Sequence, residues 1–312
     1  MLKASIIIPT YNKYARLVLT LWALGRQQLA ADEYEVIIVD DGSTDATPQV
    51  LAQLDHANWR WIHQNGQGRA AARNNGIRLA RAPILIFLDD DILVRPDFIT
   101  AHLAMHRVMQ PCAVHGTLYD LPYLRYVADP QTGTLIDEVA QRRSLQQIVG
   151  PALTTAALAA DFEGMIAGHR PRRNFLEEAI RRILCDPIPP IAPWLACVGA
   201  NFSLPCELFD AVGLFDERFG RTWGCEDLEL GYRLHQHGYQ IVAAEHAVGY
   251  HMTHYRATPF DEHRTAHEYF YQKHPVPAVK HLQAFLEGHL PSLETYRQAV
   301  AKDEGSSGLH DS

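Results

Sequence analysis

Residues 84–99 read ILIFLDDDILVRPDFI. The five apolar residues Ile84 to Leu88 have the length of a strand, and a strand apolar at every position is one buried on both faces. Three acids, Asp89-Asp90-Asp91, follow at its carboxyl end. Upstream, Ala4-Ser5-Ile6-Ile7-Ile8 and Glu35-Val36-Ile37-Ile38-Val39 repeat the apolar run. Between the runs lie helical patterns: Leu17, Leu21 and Leu24 recur at i, i+4, i+7, and Ala70 to Ala80 is rich in Ala, Arg and Leu. The order β-α-β-α-β predicts a parallel sheet with right-handed crossovers, and ligands of such sheets sit beyond the strands' carboxyl ends. Pro9-Thr10-Tyr11-Asn12, Asp40-Asp41-Gly42-Ser43 and the triple acid all fall there.

Adjacent carboxylates repel one another, so three in a row at a buried strand end call for a compensating charge. In extended chain Asp89 and Asp91 point the same way and Asp90 the other, so the outer pair can converge on one divalent cation. Hard oxygen ligands suit Mg²⁺ or Mn²⁺. A solvated acidic turn before Pro96 is the alternative. His102 and His106, at i, i+4 with no nearby acid on their segment, read as a helix surface.

From Leu118 to Pro193 the pattern is broken by Pro122, Pro130, Pro151, Pro171, Pro187, Pro189, Pro190 and Pro193. This reads as an insertion of helical pieces over one edge of the sheet, with Arg170, Arg172 and Arg173 in a solvated basic loop. Regular structure resumes with a strand Val198 to Leu204, a turn from Gly213 to Gly220, a helix Glu226 to His237 and a strand Gln240 to Ala244. The expected organisation is an α/β half, 1–117; the insertion, 118–197; the second half of the same domain, 198–256; C-terminal helices, 257–304; and a disordered tail, 305–312.

The whole chain has 312 residues, 47% hydrophobic and 21% charged, which suits a folded globular protein. Lys plus Arg number 28 against 36 Asp plus Glu, giving −8 and no basic footprint for nucleic acid or anionic lipid. The apolar runs are far short of the roughly 20 residues that span a bilayer, and the N-terminus lacks a cleavage-site pattern, so a cytoplasmic location is expected. Five cysteines without a CxxC read as buried reduced thiols.

In order along the chain, IIIPTYN, VIIVDDGSTDAT, GRAAARNNGI, ILIFLDDDILVRPDFI, VGANFSLPCELFDAVGLFDERF and WGCEDLELGYRL together resemble the inverting family-2 glycosyltransferases of GT-A fold. The resemblance covers roughly residues 3 to 255 without the insertion. It implies a mostly parallel central sheet with helices on both faces, a nucleoside diphosphate sugar as donor (a UDP-sugar), and Mn²⁺ or Mg²⁺ as cofactor. It places Pro9, Thr10, Tyr11, Asn12 and Asp41 around the base, Arg73 and Asn74 under the nucleoside, and Asp89 near the ribose. Asp91 falls on the metal, with Asp90 a further contributor, and a late metal ligand falls on His251, or else His254. Asn201 lies by the donor sugar, or else ties a turn.

Inversion needs a base that takes the acceptor hydroxyl proton. A carboxylate at a helix start faces the cleft and is kept ionised by the dipole. Asp227 resembles the family's base, Glu226 the neighbouring acceptor-binding acid, and Trp223 an apolar wall for a sugar. The implied reaction is hexosyl or N-acetylhexosaminyl transfer to the hydroxyl or other nucleophile of a glycan, small molecule or peptide. The rival readings are a nucleotidyltransferase and a nucleotide-sugar binding protein without transfer. The paired glycines at Gly66 and Gly68 complete neither a dinucleotide nor a P-loop fingerprint.

Overall fold

The computed structural model describes residues 1–307 apart from 110, 143–144, 146–149, 187–190 and 257–258. Pro187, Pro189, Pro190 and the end of the expected tail, 308–312, lie outside the described residues. Ten strands are described: β1 Ala4–Thr10, β2 Tyr34–Asp40, β3 Trp59–His63, β4 Ile84–Leu88, β5 Ile92–Val94, β6 Cys112–Asp120, β7 Val127–Asp129, β8 Thr134–Leu135, β9 Asn201–Pro205 and β10 Gln240–His251. Eight form one sheet in the order β3-β2-β1-β4-β9-β6-β10-β5, while β7 and β8 pair separately. β1 to β4 are mutually parallel, as are β6 and β10; β9 runs antiparallel between β4 and β6, and β5 antiparallel to β10.

The sheet is buried on both faces because its side chains alternate. Ile6, Ile8, Val36, Ile38, Ile86 and Leu88 pack on one face with helix Tyr14–Leu24, whose Leu17, Leu21 and Leu24 are buried. Ile7, Leu85, Phe87, Phe202 and Leu204 pack on the other with helix Glu226–Gln236 and the C-terminal helices. The insertion covers both faces of the sheet rather than one. Its Leu158 and Ile166 join the first layer and its Ala179, Ile180 and Ile183 the second, so it wraps the β6–β10 end of the sheet.

β6 continues through the expected 117/118 boundary to Asp120, and the last helix runs to Ser307, into the expected tail. The register gathers the chemistry at one edge. Thr10 pairs with Asp40, Leu88 with Asn201, and His251 with Asp120 on one side and Ile92 on the other.

Candidate active site

A cavity of about 690 Å³ opens at that edge, lined among others by Asp89, Asp91, Arg73, Trp223, Asp227 and His251. Its first focus is Asp91. The Met252 amide donates to the Asp91 carbonyl at 2.9 Å, fastening the segment after β10 onto the triple acid. Ligand atoms of Asp91, His251 and His254 consequently lie within 4.8 Å of one another. One carboxylate and two imidazoles are a donor set that fits Mn²⁺ and similar divalent ions.

The Lys13 ammonium sits 2.9 Å from Asp91 Oδ2. Burial works against the Asp91 carboxylate, yet Lys13 and then His251 outweigh it and hold its pKa well below the usual range. Burial likewise opposes the charged His251 ring, but Asp91 and Asp120 push its pKa up to about 10, whereas burial takes His254 down to about 3. His251 Nδ1 donates to Asp120 Oδ1 at 3.0 Å, which turns Nε2 towards Asp91 at 3.7 Å. Asp120 was not singled out in the sequence, because the mixed stretch Cys112–Asp120 hides a strand; nor was Lys13.

Asp90 diverges from its neighbours as alternation requires, and the cavity is lined by Asp89 and Asp91 on either side of it. Buried beside Lys13 and Asp91, it is pushed by burial up to about 7.

The second focus is Arg73, fully buried in helix Arg69–Leu79. Its guanidinium donates to Glu226 Oε1 at 2.8 Å and to Asp89 Oδ1 at 3.1 Å, joining the first of the three acids to the helix start Glu226–Asp227. Gly199 makes room for it, since a Cβ there would lie 2.3 Å from Arg73 Nη2. Glu226 is therefore committed to an ion pair, and Arg73 with Arg69 holds its pKa low against burial. Asp227 Oδ2 accepts from the Gly199 amide at 2.7 Å and Oδ1 from the Leu228 amide at 2.8 Å. Burial and the Glu226 charge push Asp227 up to about 6, with Arg73 opposing. Two neighbouring acids with divergent affinities for a proton are a usual sign of divided roles.

The nucleotide end differs in detail from expectation. Pro9 and Thr10 are buried in β1, and Tyr11 is exposed, with the Arg221 guanidinium 5.0 Å from its ring centre. Asn12 Oδ1 accepts from the Thr44 amide at 2.7 Å, so this side chain ties two loops together. The Asp40 carboxylate accepts from the Ser43 amide and closes the turn after β2. Asp41 is buried and accepts from Gln64 Nε2 and the Gln67 and Gly68 amides at 2.7, 2.7 and 2.9 Å. Asp41→Ala strands those three donors, so a loss of about 1–3 kcal/mol is expected in urea unfolding, well beyond an exposed turn residue. Asn74 is no nucleoside contact: it is buried, donates to the Phe215 carbonyl and accepts from the Phe215 amide at 3.0 Å.

Asn201 too is structural. Fully buried, it accepts from His102 Nε2 at 2.9 Å and donates to the Ala247 carbonyl at 2.9 Å. His102 and His106 are buried rather than on a helix surface; Ser203 bridges them, and burial lowers their pKa values to about 3 and 4. Arg172 and Asp120 exchange backbone hydrogen bonds, and Arg173 lies 5.1 Å from the Tyr119 ring centre, so the basic cluster is anchored, with Arg172 lining the cavity. All five cysteines are free; Cys112, Cys197 and Cys225 are buried as expected, but Cys185 and Cys206 are exposed. Trp223 lines the cavity, flanked by Arg256 and His263, which no local sequence pattern marks.

The layered sheet with its acid-lined edge is of the GT-A type. Residues 5–122 match glycosyl transferase family 2, and residues 182–257 match the N-terminal domain of galactosyltransferase. Over that first region the chain is similar to glycosyl transferase family 2.

It is 35% identical over 256 residues to validoxylamine A glucosyltransferase of Streptomyces hygroscopicus subsp. jinggangensis, covering 81% of this chain and 56% of that protein. The chain thus spans about half the length of the curated relatives it matches. Among solved structures, the mannosyltransferase PcManGT from Pyrobaculum calidifontis in complex with GDP-Man and Mn²⁺ aligns with a TM-score of 0.57 at 17% identity, covering 97% of this chain and 75% of that one. S. aureus TarS in complex with UDP-GlcNAc aligns at 0.51 and 15% identity, covering 86% and 66%. No helix among the described residues is long and apolar enough to cross a membrane.

Proposed function

We propose that this chain transfers a hexosyl or N-acetylhexosaminyl group from a nucleoside diphosphate sugar, a UDP-sugar first, to an acceptor nucleophile with inversion at the anomeric carbon. The observation that carries the reading is the Arg73 bridge. A single buried cation ties Asp89, beside the metal-fitting cluster, to the start of the helix bearing Asp227, so donor and acceptor chemistry face one cavity. Asp91, His251 and His254 would hold Mn²⁺ or Mg²⁺, and the ion would supply charge neutralisation for the diphosphate. Arg69 and Arg256, which line the same cavity, add fixed positive charge for that diphosphate.

In the transfer step the acceptor O–H proton passes to the Asp227 carboxylate. The oxygen bonds to the anomeric carbon from the face opposite the leaving group. The bond from that carbon to the phosphate oxygen breaks, and the nucleoside diphosphate leaves with the electron pair. Glu226, held by Arg73, orients the acceptor, and Trp223 offers its ring face to a sugar. The base binds near Tyr11, on the loop that Asp41 organises.

A panel of UDP-glucose, UDP-N-acetylglucosamine and GDP-mannose with Mn²⁺, assayed for nucleoside diphosphate release, tests the reading. Release from at least one UDP-sugar is expected. Neither release nor calorimetric binding with any donor would overturn it, and binding without release would favour a binding protein.

A carboxylate behind a metal-binding histidine fixes its ring and raises its basicity. Asp120→Asn is therefore expected to weaken Mn²⁺ binding by about 10- to 100-fold in an electron paramagnetic resonance titration. Unaltered affinity would remove Asp120 and His251 from the metal site together.

A further inference from the structure

The turn that delivers Asp227 is held in an unusual backbone. Gly224 and Cys225 both have positive φ, +98° and +68°, directly before Glu226. The left-handed region costs a residue with a side chain about 1–2 kcal/mol, so something must hold Cys225 there. What packs against it is His263, from helix Pro259–Lys273. A Cβ on Gly224 would lie 2.5 Å from His263 Cδ2, His263 Nε2 is 3.6 Å from Cys225 Sγ, and its ring meets Trp223 edge-on at 5.4 Å. One imidazole thus touches three successive residues of the turn.

The ring is itself oriented from further away. His263 Nδ1 is 2.6 Å from Gln283 Oε1, and Gln283 Nε2 donates to Glu287 Oε1 at 2.7 Å, where Arg264 donates as well. The Glu287 carboxylate only accepts, so the Gln283 amide must point its nitrogen there and its oxygen to His263. Nδ1 then carries the proton, and Nε2 is left with a lone pair facing the Cys225 thiol. Both groups are buried, at 6% and 1% exposure. The direction of every hydrogen bond from Cys225 through His263 and Gln283 to Glu287 follows from that one carboxylate.

We propose that His263, oriented by Gln283, is a positioning residue that holds the Trp223–Asp227 turn in its left-handed form and so sets where the Asp227 carboxylate and the Trp223 ring face the cavity. The inference rests on Asp227 as the base. His263 lines the cavity, but its hydrogen-bonding nitrogens are turned to Cys225 and Gln283 and not to Asp227, Asp41 or Asp91.

The test uses His263→Leu, which keeps bulk but offers no acceptor, beside His263→Gln, whose amide oxygen can replace Nε2, and Gln283→Leu. Corrected for folded fraction, His263→Leu is expected to lower kcat by about 10²-fold, the scale of a small misplacement of a reacting group, with donor KM unchanged. His263→Gln should recover much of that loss and Gln283→Leu should share it.

Independently of turnover, iodoacetamide labelling of the intact chain read by peptide mass spectrometry should leave Cys225 unlabelled in the parent and label it in His263→Leu. Unchanged kcat, or a fall in which donor KM rises in parallel and His263→Gln gives no rescue, overturns the proposal, as does equal protection of Cys225 in all variants. Absence of transfer by the parent chain would instead count against the proposed function, and the labelling result would still decide whether His263 holds the turn. Should His263→Leu fail to fold, Gln283→Leu carries the same comparison.

Discussion

Asp227→Asn is expected to lower the rate of sugar transfer by about 10² to 10⁴ at saturating donor, the usual contribution of a positioned general base. The substitution keeps the shape and one accepted hydrogen bond, but turns an NH₂ towards one of the two amides, of Gly199 and Leu228, that now donate to the carboxylate. Donor binding should hardly change, because Asp227 touches none of the groups at the nucleotide end. The pH profile gives a second reading. With Asp227 raised to about 6 by burial and by Glu226, its ionised fraction grows as pH rises through that value. Transfer should accordingly climb about tenfold per pH unit below pH 6 and level off above it, and the Asn variant should lose this limb. Glu226→Gln is expected to act differently. It strips the buried Arg73 of a partner at 2.8 Å, and breaking a buried ion pair costs about 3–5 kcal/mol, so its first effect is on folding. A near-normal rate for Asp227→Asn beside a collapsed rate for folded Glu226→Gln would exchange the two roles.

Asp91→Ala should abolish measurable Mn²⁺ binding and cut transfer by about 10³-fold or more, the several kcal/mol of charge stabilisation a metal ion supplies. The geometry makes Asp91 the one carboxylate on which Lys13, His251 and His254 all converge, at 2.9, 3.7 and 3.5 Å. Removing it leaves three nitrogen groups with no shared anion, a poor site for a hard dication. EDTA should reproduce the loss in the parent chain, and added Mn²⁺ should restore the parent but not the variant. Full activity of Asp91→Ala in chelator-treated buffer would sink the metal assignment.

How far the sequence could be read follows from how burial is encoded. The runs at Ile6, Ile37 and Ile86 are apolar because both sheet faces are covered, and β1, β2 and β4 were legible for that reason. β6 was not, because it carries His115, Gly116 and Thr117 through the core, and β3 was not, because Trp59–His63 is a half-exposed edge. The same masking explains His102, His106 and Asn201. Polar residues normally mark a surface, but here Asn201 bonds His102 directly and Ser203 bridges His102 to His106, and hydrogen-bonded polar groups can be fully buried. At the site, acids at strand ends and helix starts were legible because charge placed there is costly without a purpose. Lys13, Asp120, Arg256 and His263 were not, since each acquires its meaning only from a neighbour far away in the chain.

The reversed direction of β9 has a consequence for how such a chain can diversify. The insertion leaves the sheet at Asp120, the carboxyl end of β6, and the chain returns at Asn201, the amino end of β9; because β9 runs backwards, both anchor points lie at the cavity edge. Residues 121–198 form a handle that packs Leu158 and Ile180 into the core, has both roots at the cavity, and stops short of Gly199, whose amide donates to Asp227. Exchanging that handle for a relative's would alter which molecules can approach while leaving the strands that carry Asp41, Asp89 and Asp91 in register. On the proposed function, acceptor preference would be set largely by this handle and donor preference by the strands, so that one could drift without the other.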